Sequence, residues 1–349
     1  MSRSEFFKRM RKEVVSAYEW TEELQGISTG SLAINRILGK VGGFPRGRMT
    51  EVLGWESSGK TTLCIQACAT AQKQGLHATY LDTERTVDLE HAKLAGFEYE
   101  DSEKGAYMTP RTLEEVFTII EGLILEVRSD LIVVDSVAAM VPQSVMDSKM
   151  DEMGPIASRA RLLSDKLPRI ANIASQNKVA LVFVNQMRMK IETGWSPNRG
   201  KPQEHSPGGS ALRFYSSLRL QLKQVKKNQT VKKVLDPVSG KEIEVPIQGL
   251  HNAYAFKNKV SDPYQDTDFY IRFDTDNQIY GIDNLQTIID AAKSQDIILS
   301  KSGGHMRYES PTKGLSFKVQ GEYPLYHHML NSPDAVAEIR EALKAKGLF

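Results

Sequence analysis

The chain has 349 residues, enough for one large core and a smaller second unit. Its formal net charge is +2, with 25% charged and 40% apolar residues, which excludes a uniformly basic body; any nucleic-acid surface must come from local clustering. No apolar run is long enough to span a bilayer, and the opening MSRSEFFKRMRKEVV lacks the uninterrupted apolar stretch of a secretory signal.

Phe7, Met10, Val14 and Tyr18 recur at helical spacing and predict an amphipathic helix over about 5–18, followed by a linker, EELQGISTGS. The helix either folds back on its own domain or docks on another subunit. Strands and helices then alternate. MTEVLG (49–54), HATYLD (77–82), LIVVD (131–135) and ALVFVNQ (180–186) read as strands. Helices are expected over about 60–74, over LEEVFTIIEGLILEV behind a Thr112-x-x-Glu115 capping box, and over about 157–176. Cys64 and Cys68 lie in the first of these helices. Without neighbouring histidines they make a poor zinc site, and buried reduced thiols suit a cytoplasmic protein. This alternation predicts an α/β fold with a mostly parallel central sheet. Ligands in such sheets bind beyond the carboxyl ends of the strands, which here hold Gly54, Asp82, Asp135, Asn185 and Gln186.

Residues 189–210, MKIETGWSPNRGKPQEHSPGGS, form a long glycine- and proline-rich connection around a lone Trp195. Farther on, LRFYSSLRLQL, the YAFKNK segment and TDFYIRFD read as strands, with a lysine-rich hairpin at about 223–250 turning at Asp236–Gly240. From about Asp283 a smaller α/β unit runs to a last helix, SPDAVAEIREALKAK, for which Ser332 or Asp334 is the expected cap.

GWESSGKTT (54–62) fits G-x-x-x-x-G-K-[ST] between a strand and a helix. Gly54, Glu56, Ser57, Ser58, Gly59, Lys60, Thr61 and Thr62 therefore form a candidate nucleotide loop whose backbone N–H groups cradle phosphate. Lys60 would reach the β- and γ-phosphates, and the Thr61 hydroxyl would ligate Mg²⁺. Asp135 either holds the same ion, directly or through water, or caps a helix. Glu84 either orients the attacking water or pairs with Arg85 on a surface turn.

Together, ISTGSLAINRILG, GWESSGKTTL, YLDTE, LIVVDSVAAM, VFVNQMRMKI, GGSALRFYSSLRL and FKNK, in this order, closely resemble the bacterial RecA recombinase family. The resemblance runs from about Ile27 to Lys259 and continues more weakly beyond. It implies a RecA-type P-loop ATPase core at 31–282, an N-terminal helix and linker at 1–30 for subunit docking, and a small C-terminal α/β domain at 283–349 that helps capture duplex DNA. It implies Glu84 as the water-activating base, Gln186 as the γ-phosphate sensor, and Lys257 and Lys259 as cations reaching a neighbouring subunit's ATP. Asp88 and His91 match adenine contacts. DNA-binding loops would fall at about 143–156 and 187–209. Met153, Gly154, Arg159, Arg161, Met189, Lys190, Ile191, Trp195, Arg199, Gly208, Gly209, Ser210 and Arg213 would face DNA. For Trp195 several readings stand: stacking on bases, packing locally or on a neighbouring subunit, or covering the nucleotide.

The resemblance thus implies an ATP- and Mg²⁺-dependent recombinase. It would polymerise on single-stranded DNA as a helical filament and pair that strand with a homologous duplex. Single-strand-binding and loader proteins are candidate partners, and no membrane is involved. A ring-shaped DNA motor of the same core is a rival, opposed by the continuous second loop and the FKNK pair. A nucleotide-gated scaffold is another, opposed by Glu84. Several positions depart from the family: Trp55 replaces a proline, Thr83 and Arg85 flank Glu84, and His91 stands for a stacking tyrosine. The second loop and the lysine-rich hairpin are longer, and the hairpin is either a basic surface or a solvated edge. The sequence ends KAKGLF where the family commonly carries acidic residues. A divergent member is expected, of bacterial, phage or mobile-element source.

Overall fold

The computed structural model describes residues 4, 5, 8, 24–100, 103–147, 155–191, 202–205, 209–235, 241–274 and 279–349. Most of the helix expected over 5–18 lies outside them, as do Trp195 and the hairpin turn at 236–240.

Strand β1 (Gly26–Ile27), helix α1 (Leu32–Ile37) and strand β2 (Phe44–Pro45) precede the core. The alternation follows as β3 (Met49–Gly54), α2 (Lys60–Lys73), β4 (Ala78–Asp82), α3 (Leu89–Leu94), β5 (Gly105–Met108), α4 (Leu113–Gly122), β6 (Leu131–Asp135), α5 (Gln143–Met146), α6 (Pro155–Gln176) and β7 (Ala180–Gln186). Next come β8 (Arg188–Ile191), β9 (Pro202–His205), α7 (Gly209–Tyr215), β10 (Ser216–Leu235), β11 (Glu242–Asn258), β12 (Gln265–Asp274) and β13 (Ile279–Ile282). The C-terminal unit holds α8 (Asn284–Ser294), β14 (Ile298–Lys301), β15 (His305–Tyr308), β16 (Phe317–Gln320), α9 (Glu322–Leu330) and α10 (Pro333–Ala345).

A nine-stranded sheet runs β13-β12-β11-β10-β3-β7-β6-β4-β5. It is parallel from β10 to β5 and antiparallel from β10 to β13. Period-two alternation explains why β6 and β7 read as continuous apolar runs: both faces are covered. Leu131, Val133, Val182 and Val184 join α2 in one core cluster, whereas Ile132, Val134, Leu181 and Phe183 join α4 and α6 in another. At the head of α4, the Thr112 hydroxyl accepts the Glu115 N–H at 3.2 Å, and the Glu115 carboxylate accepts the Arg111 N–H at 2.7 Å.

Two expectations change. LRFYSSLRLQL is not strand throughout, because α7 runs to Tyr215 and β10 begins at Ser216. Ala211 and Leu212 are buried while Arg213, Phe214 and Tyr215 are exposed, a one-sided pattern that suits a helix lying on the core. The second loop is not without regular structure at its ends: β8 pairs with β9 from Arg188↔His205 to Ile191↔Pro202. Such a ribbon satisfies backbone groups that a bare loop would leave to water. Of the two residues expected as cap of α10, Ser332 takes the position, without a side-chain hydrogen bond; Pro333 opens the helix, and Asp334 sits in its first turn.

Strand β10 pairs with β3 only from Ser216 to Leu222, opposite Met49 to Gly54. Beyond Leu222 it continues past the carboxyl end of the sheet with β11 as its partner, out to Leu235↔Glu242. The C-terminal unit has its own core around Ile289, Ile298, Met306, Leu325, Ile339 and Leu343. It is joined to the large sheet by Asp283, whose carboxylate accepts from Gln248 at 2.9 Å and Arg272 at 2.7 Å. The Arg272 guanidinium also lies 3.8 Å from the Tyr326 ring centroid.

Candidate active site at the carboxyl end of the sheet

The loop between β3 and α2 folds back on the strand ends. Lys60 is 8% exposed, and its ammonium donates to the Trp55 carbonyl at 2.7 Å and the Ser58 hydroxyl at 3.4 Å. Burial lowers its pKa, opposed by the nearby Asp135 and Glu84 carboxylates. Ser58 is buried, whereas Glu56 and Ser57 face outward, Ser57 with a φ of 58°.

Asp135 is 6% exposed at the end of β6. One carboxylate oxygen accepts from the Thr61 hydroxyl at 2.7 Å and the Tyr80 hydroxyl at 2.6 Å. This arrangement is unlike a helix cap, in which backbone N–H groups would be the donors. Burial raises the Asp135 pKa; the two hydroxyl donors pull it down, and the Glu84 and Asp82 charges push it up again. A hydroxyl and a carboxylate in contact are hard oxygen donors. Mg²⁺ keeps several waters and needs only one or two carboxylates beside substrate phosphates, so Thr61 and Asp135 fit it. Among the described residues no cluster of three or more His, Cys, Asp or Glu could hold a metal alone.

Asp82, at the end of β4, organises the loop that carries Glu84. Its Oδ1 accepts the N–H groups of Glu84 (2.9 Å) and Arg85 (2.7 Å). Its Oδ2 accepts those of Thr86 (3.0 Å) and Val87 (3.1 Å), and the Tyr107 hydroxyl at 2.8 Å. Glu84 Oε1 accepts from the Gln186 amide at 2.8 Å and from the Ser136 hydroxyl. Among the described residues no ion pair joins Glu84 to Arg85, which is exposed. Strand β8 begins two residues after Gln186, so the loop ribbon is tied covalently to this contact.

Asp88 caps α3. Its side chain accepts the N–H groups of Glu90 at 2.9 Å and His91 at 3.1 Å, and its second oxygen lies 3.1 Å from His91 Nδ1. The His91 ring stacks on Tyr280, with centroids 4.3 Å apart and planes within 3°. His91, expected as an adenine contact, thus already has one aromatic partner within the chain.

Lys257 and Lys259 are not part of this cluster. Lys257 stands opposite Arg219, which stands opposite Glu51, three residues before Gly54. At about 3.3 Å per residue that is about 10 Å back along the sheet, beyond the reach of a lysine to its own phosphate loop. The Lys257 ammonium instead donates to the Arg213 carbonyl at 2.7 Å and the Phe214 carbonyl at 3.4 Å, at the C-terminus of α7. Burial lowers its pKa, helped by the charges of Lys259 and Arg219. Beneath it, Glu51 accepts from Arg219 at 2.6 Å and Asn185 at 2.9 Å, a buried ion pair whose hydrogen bonds link three strands.

Of the residues expected at DNA, Met153, Gly154, Trp195, Arg199 and Gly208 lie outside the described residues. Met189, Lys190 and Ile191 lie on β8, and Gly209 opens α7. Arg161, Ser210 and Arg213 are exposed. Arg159 is partly withdrawn: it donates to the Ala138 carbonyl at 2.7 Å, and burial with Arg188 nearby lowers its pKa.

Sequence reasoning missed Tyr80, Ser136, Tyr280, His251 and the organising role of Asp82. An acid closing a strand before a short polar loop could have suggested Asp82. Nothing local points to His251, which meets the phosphate loop across 193 residues of chain.

Comparison with known proteins adds the following. A family model described as the RecA N-terminal domain matches residues 6–277. Protein RecA of Ehrlichia ruminantium (strain Gardel) is 35% identical over 324 residues, covering 93% of this chain and 82% of the relative. Protein RecA of Clavibacter michiganensis subsp. michiganensis is 35% identical over 320 residues, covering 92% and 79%. Protein RecA of Borrelia hermsii is 38% identical over 275 residues, covering 79% and 70%.

Proposed function

Because the chain belongs to the RecA family, we propose that it is an ATP- and Mg²⁺-dependent DNA recombinase that polymerises on single-stranded DNA and exchanges strands with a homologous duplex. The observation that carries this reading is the joined pair Glu84–Gln186, 2.8 Å apart, between the phosphate loop and the ribbon that enters the second DNA loop. Oε1 of Glu84 is held by Gln186 and Ser136, which leaves Oε2 to orient the attacking water and take its proton. The backbone of residues 54–60 cradles the phosphates, and Lys60 swings from the Trp55 carbonyl to a phosphate oxygen. Mg²⁺, when bound by Thr61 and Asp135, supplies positive charge to the phosphate oxygens. A γ-phosphate that displaces the Gln186 amide from Glu84 shifts the end of β7 and with it β8.

Lys257 and Lys259 complete the site of a neighbouring copy. Lying toward the opposite end of the strands from the phosphate loop, they suit a head-to-tail contact, which generates a ring or a helical filament rather than a closed dimer. DNA would lie against the loops at 143–156 and 187–209, with aromatic stacking at Trp195 and cationic contacts from Lys190, Arg199, Arg161 and Arg213. The segment 1–30 would dock on the adjacent subunit, and the unit 283–349, bearing Lys301, Arg307 and Lys318, would capture duplex. No helix of the described residues is long and apolar enough to cross a membrane. The free buried thiols Cys64 and Cys68 support a reducing compartment, and we place the protein in the cytoplasm.

The test is ATP hydrolysis with and without single-stranded DNA at two salt concentrations, with filaments examined by electron microscopy. Several-fold stimulation by DNA that weakens at high salt, with filaments, is expected. Hydrolysis indifferent to DNA, or closed rings only, overturns the reading.

A further inference from the structure

His251 stands on β11, two strands away from the strand that carries the phosphate loop. It is 4% exposed, its ring centroid is 5.5 Å from that of Phe269, and its Nδ1 is 3.1 Å from the Ser58 carbonyl oxygen. A carbonyl only accepts, so Nδ1 carries the hydrogen and donates it. Burial lowers the pKa of the ring, which keeps it neutral with the hydrogen on Nδ1.

The consequence lies in the next peptide bond. A planar trans peptide points its C=O and its N–H in opposite directions. Holding the Ser58 carbonyl down on the sheet therefore aims the Gly59 N–H the other way, out of the loop toward the phosphate cradle. Gly59 has a φ of +88°, and glycine alone passes freely between the conformations that a flip of the 58–59 peptide would require. A side chain there would be strained by that φ, and its Cβ would come within 2.4 Å of Ile271 Cδ1, which would have to shift. The loop thus contains a peptide whose own sequence leaves its orientation open, and a buried donor from a distant strand that selects one of the two.

We propose that His251 is a positioning residue for nucleotide binding: by fixing the Ser58 carbonyl it presents the Gly59 amide to the ATP phosphates. This rests on the phosphate-loop reading of residues 54–62. Nucleotide affinity, unlike DNA-stimulated turnover, tests His251 without depending on recombinase activity.

The experiment titrates the full-length protein with a fluorescent ATP analogue in Mg²⁺ and follows KM and kcat for ATP in the presence of single-stranded DNA. His251→Leu removes the donor at similar bulk. His251→Asn keeps an N–H donor where Nδ1 lies. The Leu variant is expected to raise Kd and KM about tenfold, the equivalent of one hydrogen bond, with kcat within about twofold. The Asn variant should recover most of that loss. Should the Leu variant fail to fold, His251→Gln replaces it, since its amide reaches the Nε2 position and misplaces the donor. Equal nucleotide affinity in the Leu (or Gln) and Asn variants, whether both intact or both impaired, overturns the proposal, the latter pointing to ring packing alone. A wild-type chain that binds nucleotide but ignores DNA overturns the recombinase reading and leaves the His251 comparison intact. A wild-type chain that binds no nucleotide overturns both.

Discussion

The carboxyl and amino ends of the same strands handle charge in opposite ways. At the carboxyl end, Lys60, Asp82, Glu84 and Asp135 are knitted together by contacts within one chain, and Asp82 alone accepts five hydrogen bonds. Midway along the sheet, the Arg219–Glu51 pair is equally buried. Above it, however, Lys257 merely rests on the last carbonyls of α7, beside the exposed Phe214. One end holds its charges through contacts within the chain; the other presents cations and aromatic surface outward, as a face that meets another molecule would. A site can thus be divided between the two ends of one sheet, provided copies stack head to tail.

The sharpest way to break that comparison is at Glu84. Glu84→Gln should lower kcat by about 10² to 10⁴ while ATP affinity changes only a few-fold, because the amide keeps the Gln186 contact region but cannot take a proton. A large loss of affinity instead would make Glu84 a binding residue. Lys257→Ala should lower DNA-stimulated hydrolysis by about 10² or more, as loss of a charge stabilising the transition state does, and leave nucleotide binding by dilute subunits unchanged. Mixing these two variants sharpens the contrast. If the two ends act across copies, equal amounts restore about a quarter of the sites; if Lys257 serves its own chain, nothing is restored.

Smaller effects follow. Arg272→Ala leaves Asp283 buried without its cation and should cost about 3 to 5 kcal/mol in urea unfolding of the chain. ATP affinity of the folded variant should stay near wild type, since that pair joins the C-terminal unit rather than the phosphate loop. His251 has a lowered pKa in the folded state. Below the unfolded value of about 6.5 the unfolded chain binds a proton that the folded chain refuses, so the stability from this residue is present above that pH and declines as pH falls. The unfolding midpoint of the wild type should therefore drop more between neutral pH and pH 5.5 than that of His251→Asn; parallel curves would rule this out. The smallest effect is expected for Trp195→Ala: a several-fold loss of DNA stimulation with basal nucleotide affinity retained.

Much of this was legible because it is local. The phosphate loop, the four central strands and the acids that end them follow from glycine placement, apolar runs and strand length. The Thr112 cap and the lysine-rich hairpin were equally plain. The start of β10 was misplaced because Leu212–Tyr215 is apolar enough for either state, and only the packing of Ala211 and Leu212 on the core decides for helix. The ribbon of β8 and β9 escaped notice because pairing between segments ten residues apart leaves little trace in a proline-rich composition.

The sequence by itself pointed to the family, the parallel core and Lys60, Thr61 and Asp135 as candidate site residues, since each belongs to a short run whose chemistry and conformation are set by its neighbours; Glu84 and Gln186 joined them through the resemblance. Only the tertiary structure decided that Glu84 meets Gln186 rather than Arg85, that His91 stacks on Tyr280, that Lys257 faces away from its own phosphate loop, and that His251 lies beneath Ser58. Each of these is a contact between segments far apart in the chain. Strand order and register fix such contacts, and neither is written in any one stretch of residues.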